Sequence, residues 1–128
     1  MLVKWSTYLL GLIYIAAGVY HFVNPAFYTR LIPPYFESIA STGTINLLAG
    51  IAEVLLGVGV LIPRYRNMAC YGIIAILVAF IPSHWYMIQQ GTFQLGFVEI
   101  TPTIAWLRLL VVHPILMLWP WWIAQQKH

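Results

Sequence analysis

Polar residues are sparse along this chain, and their positions divide it into four apolar stretches. Trp5 to Phe22, Ile45 to Ile62, Met68 to Ile88 and Ile104 to Ile123 each carry at most one charged side chain. Each comes close to the about 20 residues that a helix needs to cross the hydrocarbon core of a bilayer. Local signals mark the ends. Asn24-Pro25 closes the first stretch, because proline disfavours helix at the residue before it. Pro63 stops the second, and the third runs out near Gly91. Thr101-Pro102 opens the fourth, a capping-type residue followed by a helix-starting proline. In lipid each span must satisfy its own backbone hydrogen bonds, so helices are expected. The pattern predicts an all-α fold, an integral membrane four-helix bundle formed by residues 1–128 as one domain.

Composition removes the soluble alternative. The chain is 62% hydrophobic and 7% charged, whereas a soluble domain carries about 25% charged residues. Almost no segment has a polar face, so lipid is expected around the sides and water at the ends. The net charge of +3 comes from scattered basic residues, which gives no nucleic-acid signal. The single cysteine, Cys70, excludes an intrachain disulfide and a dithiol cycle, and it reads as a small packing residue. Lys4 ahead of an apolar stretch with Ala16-Ala17-Gly18 imitates a signal peptide. The stretch continues to Phe22, past a typical signal h-region, so it is expected to stay as a span.

The basic residues report on orientation. If the spans alternate sides, Lys4, Arg64, Arg66 and Lys127 fall on one side with both termini. Arg30 falls on the other, with Glu37 and Glu99. Loops rich in Lys and Arg stay in the cytoplasm. Both termini are therefore expected there, with the chain multi-pass in a bacterial-type inner (plasma) membrane. Trp5, Trp119, Trp121 and Trp122 then lie at the inner interface, where indole rings are favoured. The long connections, Val23 to Thr44 and Gln89 to Thr103, fall outside.

Ionisable residues within a span are costly and are functional candidates by default. Here they are His21, Glu53, His84, Arg108 and His113. At 1.5 Å per residue, Glu53 lies about 12 Å from the outer start of its span, and His21, His84 and Arg108 lie nearer the outer surface. Asn46, Gly50, Glu53 and Gly57 form one stripe at helical spacing, and Gly11, Tyr14, Gly18 and His21 form another. The small residues in these stripes, Gly11, Gly18, Gly50 and Gly57, suit close helix packing. On an uninterrupted α-helix Arg108 shares its face with Val112, Ile115, Trp119 and Trp122, which leaves His113 outside the group. Pro82 is expected to loosen the helix beside His84. Three readings of His21, Glu53, His84 and Arg108 stay open. One is a polar pocket that binds a small molecule or relays protons. Another is a structural Glu53–Arg108 pair. The third is a metal site of His21, His84 and Glu53, which no close-spaced ligand pair supports.

Four segments carry a family resemblance. They are Gly18-x-x-His21-Phe22-x-x-Pro25 with Leu31-Ile32-Pro33-Pro34; Ala49-Gly50-x-x-Glu53-x-x-x-Gly57; Pro82-Ser83-His84-Trp85-Tyr86-Met87; and Trp106-Leu107-Arg108-Leu109. In order and spacing they resemble the motifs of the DoxX family of four-helix membrane proteins. His84 departs from the Asn usual there, and His113 lies near a position often occupied by Gln. The resemblance implies an accessory membrane protein that binds a quinone, a lipid or a similar apolar molecule with a polar head. It also implies an alternative, the membrane subunit of a quinone-linked oxidoreductase acting on sulfur compounds. No flavin, haem or iron–sulfur motif is present, so such a subunit would take its electrons from a partner. The aromatic inner belt and the small-residue stripes support a further alternative, an assembly factor that docks another membrane protein or a second copy of itself.

Overall fold

The computed structural model describes residues 1–126. Lys127, which enters the orientation argument, lies outside the described residues. The chain is helical almost throughout. Helix α1 is Leu2–Val23, and a short α2, Pro25–Thr29, follows the break at Asn24. A 3₁₀ turn, Pro34–Ser38, leads to α3, Thr42–Leu61, whose first turn is capped by the Ser41 hydroxyl. The third span is two helices in line, α4 (Arg66–Ala79) and α5 (Ile81–Gln89). The fourth is α6 (Pro102–Leu107), a π-helical segment (Arg108–Val112) and α7 (His113–Gln125).

Four helical stretches, Leu2–Val23, Thr42–Leu61, Arg66–Gln89 and Pro102–Gln125, are long and apolar enough to cross a membrane. They exceed the expected spans at most ends because polar caps and interfacial residues continue each helix past its apolar run. Large apolar side chains such as Leu12, Leu48, Leu55 and Leu110 point outward, as lipid-facing surfaces require.

One element departs from an all-helical chain. The second long connection holds a two-stranded antiparallel hairpin, β1 (Phe93–Leu95) and β2 (Val98–Ile100), with Leu95 opposite Val98. Its two-residue loop starts at Gly96, the only loop residue with positive φ (62°), which is the glycine-first pattern of a type II′ hairpin. Alternating Phe93/Leu95 and Val98/Ile100 turns one face inward. Leu95 and Ile100 pack with Met87 and Ala105, and with Phe27 and Leu31 of the first connection. The two long connections thus form a small apolar cap. A larger apolar core, built on Leu10, Val60, Ile73, Leu77 and Ile123, fills the opposite half.

Helices α1 and α3 make the most extensive helix–helix contact. Their antiparallel register sets Gly11 against Gly57 and Gly18 against Gly50. A Cβ at Gly18 would lie 2.7 Å from the Gly50 carbonyl oxygen, and one at Gly57 would lie 2.7 Å from that of Gly11. Backbone touches backbone, so the helices gain dispersion contact that bulkier residues would prevent. Gly18→Ala is therefore expected to lower stability by about 1–3 kcal/mol through overpacking. Gly43→Ala, at a helical position with open space around it, is expected to raise stability slightly. Thermal unfolding of the two variants in detergent checks the contrast.

Candidate functional site

Between the apolar core and this cap lies a layer of polar side chains in two groups. The first is fixed by the α1–α3 register. His21, one turn beyond Gly18, meets Asn46, one turn before Gly50. Asn46 Nδ2 donates to the His21 carbonyl oxygen at 2.9 Å, and its Oδ1 lies 2.7 Å from His21 Nδ1. The reversed amide would set two oxygens against each other, so Oδ1 is the acceptor and Nδ1 carries the proton. His21 Nε2 lies 2.9 Å from Glu53 Oε2, with both side chains buried. The contact meets ion-pair distance without hydrogen-bond alignment. With Nδ1 already protonated, Nε2 and Oε2 must hold one proton between them, since two lone pairs would otherwise face each other. Tyr28 from α2 stacks on the His21 ring, centroids 3.5 Å apart and planes 15° from parallel. Burial, with the Glu53 carboxylate nearby, pushes the Tyr28 hydroxyl up to about 12, so it stays protonated at neutral pH.

The second group depends on two proline-induced breaks. Pro114 has no N–H for the Leu110 carbonyl, and its ring crowds that oxygen. The chain widens there into the π segment, and the His113 N–H bonds the Arg108 carbonyl five residues back. On an α-helix those residues would point about 140° apart; here they share a face. His113 is thus part of the site, which corrects the placement expected from an uninterrupted helix. Val112 and Ile115, expected on the inward face with Arg108, are instead exposed.

His113 Nε2 lies 2.6 Å from the carbonyl oxygen of Leu77, near the α4–α5 break that precedes Pro82. A carbonyl only accepts, so Nε2 carries the proton. His113 Nδ1 is then the acceptor for Arg108 Nη1 at 3.2 Å. Both contacts require a neutral His113. The His84 ring meets the His113 ring edge to face, centroids 4.9 Å apart, and the buried His84 Nδ1 has no hydrogen-bond partner.

His21, Glu53, His84 and Arg108 therefore occupy one layer but not one contact set. Glu53 pairs with His21, and no Glu53–Arg108 ion pair forms among the described residues. No group of three metal-ligating side chains converges among them either, because His21 and Glu53 are in one group and His84 is in the other. Asn46, Tyr28 and His113 were not singled out from the sequence as site residues. Asn46 had a signal in its place on the Gly50–Glu53 stripe, and His113 had one in the proline that follows it.

Charge counting sets the chemistry of this layer. The His21–Glu53 pair holds one shared proton and is neutral overall, and His113 is neutral. The Arg108 guanidinium is left with one positive charge and no carboxylate among the described residues. Asn46→Ala would strand the His21 Nδ1–H and carbonyl, and is expected to cost about 1–3 kcal/mol on unfolding in detergent. ¹⁵N-histidine NMR at neutral pH is expected to show His113 as the neutral Nε2–H tautomer. Pro114→Ala is expected to move that signal, because it restores α-helical phase and parts His113 from Arg108.

No curated protein and no solved structure matches the chain. The family described as Domain of unknown function (DUF8561) matches residues 10–124, which reach into all four helical stretches and include every residue of the polar layer. The chain belongs to the DUF8561 family.

Proposed function

We propose that this chain is a multi-pass membrane protein that binds a small amphiphile by a carbonyl or anionic oxygen in the outer half of the bundle. A quinone or a lipid-like molecule fits that description, and an accessory role fits a site without a redox cofactor motif. The observation that carries the reading is the state of Arg108. Its side-chain partner is a neutral imidazole, and a membrane-embedded guanidinium without a counter-charge is costly. An acceptor oxygen placed there would offset that cost. His84 Nδ1, buried without a partner beside the same group, supplies a second polar contact for the ligand head. The shared proton of His21 and Glu53 gives the site a group that can exchange a proton with a bound molecule.

Three further observations support the reading. The four segments resembling DoxX motifs include His21, Glu53, His84 and Arg108. Span four is the least buried of the four, so an amphiphile can approach Arg108 from the lipid. Lys4, Arg64 and Arg66 on one side against Arg30 on the other favour cytoplasmic termini in an inner membrane.

Native mass spectrometry of protein extracted gently from its own membrane tests the proposal. The wild type is expected to carry one small amphiphile. Arg108→Gln is expected to weaken its retention roughly tenfold or more, the loss of one charge-assisted hydrogen bond of about 1.5–3 kcal/mol. An empty wild-type protein, or equal retention by Arg108→Gln, would refute it.

A further inference from the structure

An open space lies at the other end of the bundle, away from the polar layer. A cavity of about 360 Å³ is lined by Met1, Val3, Lys4, Thr7, Tyr8, Pro63 and Arg66. It lies where the start of α1 meets the tight link between α3 and α4. Two of its lining residues, Lys4 and Arg66, are cations. The chain has three acidic side chains, and all lie elsewhere: Glu37 and Glu99 belong to the long connections, and Glu53 pairs with His21. Among the described residues no carboxylate lines the cavity to offset these cations.

Arg66 is already oriented. Its Nε donates to the Val60 carbonyl at 2.8 Å and its Nη2 to the Leu61 carbonyl at 3.4 Å, which ties one edge of the guanidinium to the end of α3. Nη1 makes no hydrogen bond among the described residues and is held in place by the other two nitrogens. A guanidinium fixed on one edge loses little freedom when its free edge meets an oxyanion. Helix α4 begins at Arg66, with neither a side-chain cap nor an acidic residue in its first turn, so its positive end adds to the charge of Lys4 and Arg66.

We propose that this cavity receives the phosphate group of an anionic phospholipid. Two features select a lipid over a free anion. The cavity is at the end of the spans, at headgroup depth, and the exposed apolar side chains Leu9, Leu12 and Trp5 continue along the flank of α1 beside it, where acyl chains would run. That end also carries Arg64, and clustered Lys and Arg at the cytoplasmic surface attract anionic lipid at about 1 kcal/mol per residue.

Full-length protein in nanodiscs of phosphatidylcholine, titrated with phosphatidylglycerol and read by native mass spectrometry, tests the site. One phosphatidylglycerol is expected to be retained in preference to phosphatidylcholine. Lys4→Gln is expected to weaken that retention about fivefold, the equivalent of one cation near the surface, and Lys4→Arg to restore it. Arg30→Gln, at the opposite end, is expected to leave it unchanged. Displacement by millimolar inorganic phosphate would assign the same cavity to the free anion instead of the lipid. Equal retention of the two lipids, or a Lys4→Gln protein that unfolds at the wild-type temperature and binds phosphatidylglycerol as the wild type does, would overturn the proposal.

Discussion

The backbone contact between α1 and α3 sets the geometry of everything around it. In lipid the hydrophobic effect does not drive two apolar helices together, so association depends on close packing and on polar contacts between them. Gly11, Gly18, Gly50 and Gly57 let the two backbones touch at van der Waals distance, and an antiparallel pair at that distance has little freedom to slide. Once Gly18 is set against Gly50, the next turn outward brings His21 to Asn46 and, through its longer side chain, to Glu53. The buried hydrogen bonds then fix the register that the glycines allow. Packing and polar pairing reinforce each other, because neither histidine nor carboxylate is stable in this setting without the partner that the close approach supplies.

The other side of the polar layer is built by interrupting helices instead of packing them closely. Pro82 and Pro114 each remove a backbone donor inside a span. The resulting breaks are placed so that one helps the other. The interruption of the third span lies near the Leu77 carbonyl, and the π segment of the fourth turns His113 to donate to it. The Leu77 carbonyl also takes the Phe80 N–H at 3.2 Å, so the His113 ring N–H is a second donor to it, supplied from the neighbouring span. The same turn brings Arg108 onto His113.

The two groups differ in charge balance. Around His21, Asn46 takes one ring nitrogen, Glu53 lies at ion-pair distance from the other without hydrogen-bond alignment, and Tyr28 covers the ring. Around Arg108 the complement is incomplete, with a guanidinium on a neutral imidazole and a buried His84 nitrogen without a partner. The first arrangement ties α1 to α3, and the second is the part of the layer on which the proposed ligand site rests. The apolar core below and the apolar cap above keep both out of bulk water, where each polar contact would count for less.

Much of this architecture was legible in the residues themselves. The number of spans, their approximate limits and the inward stripes on the first two helices follow from hydropathy and helical spacing, because lipid leaves a span no other way to satisfy its backbone. Even the hairpin had a signal, in the alternation of Phe93, Leu95, Val98 and Ile100 around Gly96, although its polarity resembled that of an ordinary loop. Tertiary structure alone decided the partners. Spacing along one helix cannot say which turn of a neighbouring helix it meets, so Glu53 was open to Arg108 until the α1–α3 register gave it to His21. Spacing also assumes a constant 100° per residue. That assumption fails at Pro114, where the wider turn brings His113 inward, and a local change in helical phase becomes visible only once the neighbouring Leu77 carbonyl is in place to receive it.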